Sequence, residues 1–159
     1  RQVKHYAVPV ILMHIQGTPA NMQINPNYEN LMDDIFSYFE TKIEAAERAG
    51  LDRDKIIIDP GLGFGKRLWD NYTLLQRLSE LKGLGCPILV GPSRKSFIGK
   101  ILDLPAEERL EGTVSASVAA IAAGCQVLRV HDIQEILRAV QIADLIYGNV
   151  IPDSQDLPS

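Results

Sequence analysis

Cysteine, long apolar runs and positive charge are all scarce in this chain of 159 residues. Its two cysteines, Cys86 and Cys125, lack CxxC spacing, which argues against zinc and redox sites and against a disulfide framework. We expect each to be a small buried thiol at the start of a strand. No apolar run approaches the roughly 20 residues of a membrane span. The net charge of -4 argues against affinity for nucleic acid or anionic membranes.

Apolar, strand-like runs are abundant, and each is followed by a polar cluster and a helix-like stretch. The runs are Val8 to Met13, Ile56 to Ile58, Ile88 to Val90 and Val127 to Val130. Helices are predicted over Tyr28–Ala49, Tyr72–Leu84, Ser96–Leu102, Thr113–Ala123 and from Ile133 to at least Ala143. This fourfold β-α alternation predicts an α/β fold with parallel strands and right-handed crossovers.

Two of these helices carry specific expectations about their inward faces and ends. In the fourth, Val114, Val118 and Ile121 are predicted to face the core. In the last, Asp132 is the expected N-cap. The inward residues expected on that last helix are Ile133, Ile136, Leu137, Val140 and Ala143.

Four β-α units fit either a small open sheet or half of an eightfold barrel. A full barrel takes about 250 residues, so this chain would supply only part of one. A half barrel would leave two parallel edge strands unpaired. We expect one domain over residues 1–150 and a flexible tail over 151–159.

Polar residues at strand ends are the candidate site, because active sites of parallel α/β folds lie there. Asp59 ends a strand of three isoleucines and could accept a paired hydrogen bond from an aminopyrimidinone edge. A turn or N-cap aspartate before Pro60 is the equal alternative. The following glycine loop, residues 61–66, matches neither G-x-G-x-x-G nor a Walker A loop. Its Phe64 either covers a ring-shaped ligand or anchors the loop to the core.

Cations follow the third strand and lie within the fourth. Residues Ser93 to Ser96 place two cations and two hydroxyls at a predicted helix N-terminus, which favours an anion or a carbonyl. Arg129 and His131 lie two residues apart, hence on one face of a strand. A phosphate or pyrophosphate is the expected partner of Arg129, with a structural carboxylate pair as the alternative. His14 is interpreted as a hydrogen-bonded structural histidine, and Met13 as pocket floor or core.

Taken together, four motifs resemble the dihydropteroate synthase family, in its order and at about its spacing. They span residues 12–19, 59–66, 91–99 and 129–132, and the resemblance covers about Val8 to Ile146. It implies a (βα)8 TIM barrel of which this chain covers roughly the last four βα units. It also implies condensation of 6-hydroxymethyl-7,8-dihydropterin pyrophosphate with p-aminobenzoate, giving 7,8-dihydropteroate and pyrophosphate in cytoplasmic folate synthesis. Family members are sulfonamide targets.

The resemblance also implies residue roles. Asp59 would hold the pterin's amino and N3 edge, and Lys95 would contact the pterin and stack along the aminobenzoate. Arg129 and His131 would clamp the pyrophosphate, and with Lys95 they are the residues expected to be catalytic. The other implied substrate contacts are Met13 in the pterin pocket, Gly63 in the glycine loop, Phe64 on the aminobenzoate ring, Ser96 on its carboxylate and Arg94 beside the pyrophosphate.

The family's N-terminal half, with its strand-end Asp and two Asn, has no counterpart in this sequence. The resemblance therefore implies that Mg²⁺ binds through the substrate pyrophosphate, with its protein ligand outside this chain and no metal site within it. The full-length protein is expected to be a homodimer, and this chain alone is expected to be inactive. The alternatives are a pterin-binding methyltransferase of the methyltetrahydrofolate type and a non-catalytic half-barrel binding module.

Overall fold

Four short parallel strands and five α-helices alternate along the chain in the computed structural model, which describes residues 8–22 and 24–148. The strands are β1 (Val10–Met13), β2 (Ile56–Asp59), β3 (Leu89–Val90) and β4 (Val127–Leu128). The α-helices are α1 (Leu31–Arg48), α2 (Leu68–Gln76), α3 (Ser96–Leu102), α4 (Leu110–Ala122) and α5 (Ile133–Ile146). The α/β class and the fourfold alternation predicted from the sequence are therefore confirmed. The tail over 151–159 lies outside the described residues.

The strands pair in chain order, all in parallel. β1 pairs with β2 and β3 with β4, and a bridge between Ile58 and Ile88 joins the two pairs. Ile56 and Ile58 are fully buried beneath the helices. Within the described residues, the outer edges of β1 and β4 have no strand partner. Ile11, in the middle of β1, is 53% exposed, so the described residues leave one face of this apolar strand uncovered.

Helix α1 starts later than its apolar pattern predicted. Asn30 is its N-cap and accepts a hydrogen bond from the Asp33 amide, so the preceding Tyr28 lies outside the helix, buried against the core. The apolar residues at helical spacing, Ile35, Phe39 and Ile43, are buried and form the inward face of α1. Gly50 follows the helix end at a φ of 85°, a conformation that suits glycine.

The predicted second helix, Tyr72–Leu84, is two elements. α2 begins at Leu68 and ends at Gln76, and a 3₁₀ helix continues over Leu78–Leu84. The buried leucines are four residues apart from Leu74 to Leu78 and three apart from Leu78 to Leu84, and both spacings also occur on one face of an α-helix, so they could not reveal the change. Gly85, at a φ of 67°, closes the second element.

The later helices bury narrower faces than expected. In α4 the buried side chains are Thr113, Ala116, Ser117, Ala120 and Ile121, whereas Val114 and Val118 are only half-buried. In α5, Ile136 and Ala143 are buried, but Ile133 and Leu137 are exposed. Small residues define the inward face of α4 because they allow close approach to its neighbours. A pattern built on large side chains misses that face.

Candidate active site at the carboxyl ends of the strands

The polar clusters predicted from the sequence meet at one rim. Met13 pairs with Asp59 in the parallel register, and the His14 amide donates to the Asp59 carbonyl at 2.9 Å. Strand β4 ends at Leu128, so the prediction that Arg129 lies within the fourth strand is wrong. The Arg129 amide still donates to the Val90 carbonyl at 3.0 Å, which keeps this residue at the rim. Parallel pairing in register aligns the strand ends, so residues from four distant segments share one edge.

Asp59 combines a turn role with an available oxygen. Its side chain is buried, and Oδ1 accepts the Gly61 amide at 2.8 Å, as the turn interpretation predicted. Oδ2 lies 3.7 Å from Arg129 Nη2, longer than a hydrogen bond. Burial raises the pKa of this carboxyl, while the Gly61 amide and the nearby Arg129 oppose the rise. The carboxylate can therefore still accept a hydrogen bond from a ligand.

Arg129 lies over the backbone of β3's end. A Cβ atom at Gly91 would stand 3.2 Å from Arg129 Nη2, so a larger residue there would require the guanidinium to shift by a few tenths of an ångström. The Arg129 side chain is 59% exposed, and its ion pair with Asp59 is long. The structure thus contains the carboxylate partner that was the alternative interpretation, and it leaves most of the guanidinium open to an anion.

Lys95 and Phe64 form a cation–π contact across the rim. Lys95 Nζ lies 4.0 Å from the centre of the Phe64 ring, and a Cβ at Gly63 would lie 3.3 Å from Lys95 Cδ. The lysine therefore extends along the glycine loop with its charge over the ring. Burial, and secondly the charge of Arg129, lower the pKa of Lys95, whereas Asp59 opposes this. Phe64 faces the rim, which fits the ring-covering interpretation.

His131 and Ser93 line a small polar cavity beside Arg129. Ser93 Oγ lies 2.8 Å from His131 Nδ1, and the His131 amide donates to the same oxygen at 3.2 Å. The cavity has a volume of about 320 Å³. Its lining residues are Gly91, Ser93, Lys95, Arg129, Val130 and His131. Two cations, a hydroxyl and an imidazole around one cavity suit a small anion.

Arg94 points away from that cavity. Its Nε donates to Asp132 Oδ2 at 3.1 Å, and Nη2 contacts Oδ1 of the same carboxylate. The prediction of Asp132 as a helix cap is correct in position, but its side chain makes no capping hydrogen bond because it is bound to Arg94. This pair raises the pKa of Arg94 and lowers that of Asp132.

Ser96 and Met13 are at the rim without contacts that define a role. Ser96 is the exposed first residue of α3. Met13 is half-buried, and its carbonyl accepts the Tyr38 hydroxyl at 3.2 Å. Their substrate contacts stay predictions.

Two properties of the described residues bear on wider function. Among residues 8–22 and 24–148, no helix has the length and apolar character to cross a membrane. In the same ranges, no group of three or more His, Cys, Asp or Glu side chains is arranged to hold a metal ion.

The model of one known family, described as pterin binding enzyme, matches residues 1–131 of this chain. The chain belongs to the pterin-binding enzyme family.

Relatives and solved structures of that family give the same result. The chain is 45% identical over 143 residues to a dihydropteroate synthase from Synechocystis sp., covering 89% of this chain and 50% of the relative. It is 42% identical to the one from Escherichia coli strain K12, covering 86% of this chain and 49% of the relative. This chain thus spans about half the length of the relatives it matches.

Two solved structures show how closely the fold agrees. A Yersinia pestis dihydropteroate synthase with a sulfonamide drug complex superposes with a TM-score of 0.87 at 45% identity, covering 89% of this chain and 52% of that one. The Thermus thermophilus dihydropteroate synthase in complex with 6HMPPP gives 0.85 at 34% identity, covering 91% and 57%.

In this member of the pterin-binding family, three residues outside the predicted site hold the glycine loop. Asn71 Oδ1 accepts the Gly63 amide at 2.7 Å, and the Tyr28 hydroxyl donates to the Gly65 carbonyl at 2.5 Å. Lys66 Nζ donates to the Phe64 carbonyl at 3.2 Å. Sequence reasoning missed Asn71 and Tyr28 because their contacts form only when the chain folds, and it missed Lys66 although that contact spans just two residues. A lysine inside a glycine loop was the only available signal.

Lys66 and His14 form a buried pair below this loop. Lys66 Nζ lies 3.1 Å from His14 Nδ1, which confirms His14 as a hydrogen-bonded structural histidine. Burial lowers the pKa of Lys66 to about 7, against the opposing charges of Asp59 and Asp70. Burial, followed by the charge of Lys66, lowers the pKa of His14 to about 3. His14 is therefore neutral, and in the tautomer with its proton on Nε2, Nδ1 accepts a hydrogen bond from the ammonium.

Proposed function

We propose that this chain is the C-terminal half of a dihydropteroate synthase barrel. The full-length enzyme would condense 6-hydroxymethyl-7,8-dihydropterin pyrophosphate with p-aminobenzoate in folate synthesis. The observation that carries the proposal is the 3.7 Å separation between Asp59 and Arg129. A carboxylate that can hold an aminopyrimidinone edge thus adjoins a cation that can hold a pyrophosphate. One substrate molecule contains both groups.

Each rim residue has a role in this proposal. Asp59 accepts hydrogen bonds from the pterin's amino and N3 edge, and Lys95 contacts the pterin. Phe64, whose ring already lies under the Lys95 ammonium, packs against the aminobenzoate, and Ser96 binds its carboxylate. Arg129 and His131 clamp the pyrophosphate. Arg94, bound to Asp132, supports that clamp from outside.

The chemistry requires little activation by the protein. The amine nitrogen of p-aminobenzoate forms a bond to the pterin's exocyclic carbon as the carbon–oxygen bond to pyrophosphate breaks, and the amine releases a proton. Positioning the two substrates and stabilising the departing polyanion are the enzyme's main contributions. The cavity around Arg129, Ser93 and His131 suits the second task.

We also propose that Mg²⁺ binds with the pyrophosphate, where it would neutralise part of the leaving group's charge. The cavity's cations and hydroxyl would hold the pyrophosphate oxygens that the ion leaves uncoordinated. The protein ligand of the ion would belong to the other half of the barrel. This remains a prediction about residues outside this chain.

The half-barrel assignment is supported by the strand edges. The outer edge of β1 has no partner among the described residues, and Ile11 within it is exposed. An apolar parallel strand is normally covered and paired on both sides. Four further β-α units would pair these edges and complete an eight-stranded barrel.

Assembly and location complete the proposal. Apolar side chains on α5, among them Leu145 and Ile146, are exposed and support pairing of the full-length protein as a homodimer. We place the enzyme in the cytoplasm, where folate precursors are made. The two relatives named above are dihydropteroate synthases, which favours this activity over the methyltransferase alternative.

The proposal is tested with the full-length protein and the Asp59→Asn variant. The parent should form dihydropteroate from the two substrates, and the variant should bind the pterin substrate at least about tenfold more weakly, because an amide cannot accept both hydrogen bonds. Lys100→Asn, an exposed change on α3, is the control. Lack of turnover by the full-length parent would exclude the activity, and unchanged pterin affinity in Asp59→Asn would exclude that residue's role. Turnover by this chain alone would show that the other half is dispensable.

A further inference from the structure

Arg94 adopts a backbone conformation that non-glycine residues rarely occupy. Its φ is +55°, in the left-handed region, and it stands between Ser93 of the polar cavity and Lys95 at the ring contact. A side chain is disfavoured there, so surrounding contacts have to hold the conformation. The ion pair between the Arg94 side chain and Asp132 constrains the guanidinium and does not by itself hold the backbone at this φ.

Two residues at the N-terminal end of α4 form hydrogen bonds to the backbone amide and carbonyl of Arg94. The Arg94 amide donates to Thr113 Oγ1 at 3.0 Å, and Arg109 Nη1 donates to the Arg94 carbonyl at 2.9 Å. Thr113 is completely buried, so its hydroxyl has no solvent alternative. That hydroxyl also donates to the Arg109 carbonyl at 2.8 Å, which joins the two supports into one unit.

Arg109 is itself firmly held. Its Nε donates to the Leu104 carbonyl at 2.9 Å, and a Cβ atom at Gly99 would overlap its guanidinium. Gly99 therefore leaves the space that the guanidinium occupies. The rim segment, α3 and the start of α4 are tied together through this one side chain.

We propose that Thr113 and Arg109 are positioning residues that hold Arg94 in its left-handed conformation and thereby aim the neighbouring side chains. Reversing the backbone direction at this residue sends Arg94 outward to Asp132 and Lys95 inward over Phe64. Neither positioning residue lines the cavity beside Arg129. Their effect on the reaction is indirect, through Lys95 and Ser93. This inference rests on the proposed function for its kinetic test, although its structural test does not.

The decisive variant in the full-length protein is Thr113→Val, which keeps the shape and removes the acceptor of the Arg94 amide. We expect kcat/KM to fall about tenfold, because the loss of one buried hydrogen bond shifts the residues that orient the substrates. Thr113→Ser keeps the hydroxyl and should stay within about twofold of the parent. Ser117→Ala is the matched control, and it should leave kcat/KM unchanged. Ser117 is also buried on α4, but its hydroxyl donates to the Thr113 carbonyl within the helix and does not contact Arg94.

A second variant tests the inference in case Thr113→Val does not fold. Arg109→Lys keeps the charge, but one ammonium cannot reproduce the forked contacts to Arg94 and Leu104, so it should reduce kcat/KM in the same direction. A double-mutant cycle adds Arg94→Gly, because glycine takes positive φ without strain. Thr113→Val should then cost much less in the Arg94→Gly background than in the parent.

The outcomes separate this inference from the proposed function. An inactive full-length parent would refute the function, and the inference would then be decided by a crystal structure of Thr113→Val, where the φ of Arg94 should leave the left-handed region. An active parent with unchanged kinetics in Thr113→Val and Arg109→Lys would refute the inference. Additive effects in the double-mutant cycle would also refute it, as would a φ near +55° in the Thr113→Val structure.

Discussion

The buried ammonium of Lys66 should make this protein more stable as the pH rises from 7 to 9. Burial lowers its pKa from 10.5 to about 7 in the folded chain, whereas the unfolded chain exposes it to water. Between these values the unfolded state binds more protons than the folded state. The linkage relation then requires the free energy of unfolding to increase with pH.

The size of the effect follows from the same two values. A folded pKa of about 7 and an unfolded value of 10.5 give a gain of about 2 kcal/mol between pH 7 and 9, and of about 5 kcal/mol from the pH where both states are protonated to the pH where both are deprotonated. Lys95, whose pKa is also lowered by burial, adds in the same direction. Cys125 opposes the gain from about pH 9, since burial raises its pKa to about 11. The window from pH 7 to 9 therefore isolates the lysines best.

The assay is urea unfolding at several pH values for the parent and for Lys66→Met. Methionine matches the side-chain volume but does not titrate, so about 2 kcal/mol of the rise between pH 7 and 9 should disappear. The absolute stability of this variant will also change, because the contacts to His14 and Phe64 are lost. The slope with pH is thus the diagnostic quantity. Lys100→Met, at an exposed position, is the control, and parallel pH profiles for Lys66→Met and the parent would refute the reasoning.

Three further changes test the clamp, the core and the loop. Arg129→Ala in the full-length protein should weaken binding of the pyrophosphate substrate by about tenfold to a hundredfold, measured by calorimetry, and unchanged affinity would exclude the clamp. Phe39→Ala, at a fully buried site of α1, should cost about 3–5 kcal/mol in urea unfolding. A cost below about 1 kcal/mol would mean that the site is less well packed than described. Tyr28→Phe should cost about 1–3 kcal/mol, because the Gly65 carbonyl loses its buried donor. Equal stability of Tyr28→Phe and the parent would show that this bond is dispensable.

Prediction from the sequence succeeded where signals are local. The positions of the strands and the α3 bounds depend on short-range patterns that tertiary packing did not override, although β4 ends at Leu128 and leaves Arg129 beyond it. Prediction failed where packing chose among equivalent patterns, as when the run of leucines divided into α2 and a 3₁₀ helix. It also failed on α5, where Ile133 and Leu137 carry the right period but lie exposed.

In the candidate site, too, the residues with a local signal were predictable and those defined by packing were not. Asp59 and Arg129 are recognisable because a charged residue at the end of an apolar strand is unusual, and Lys95 because it belongs to a polar cluster directly before a helix. The residues that hold the rim, such as Thr113 and Asn71, are common helix residues with no distinguishing pattern. Their contacts span 19 and 8 positions and exist only once the helices pack.

The amino-acid sequence alone specifies which side chains follow the strands, and hence which chemical groups can reach a ligand there. Parallel strands direct their carboxyl ends to one rim, so the order of the motifs along the chain was enough to predict that these groups lie near one another. The pairing of those groups became visible in the folded chain: Asp59 with Arg129, Lys95 with Phe64, and Ser93 with His131. These pairs join residues from different β-α units, and their distances depend on strand register and helix packing, which local patterns do not encode.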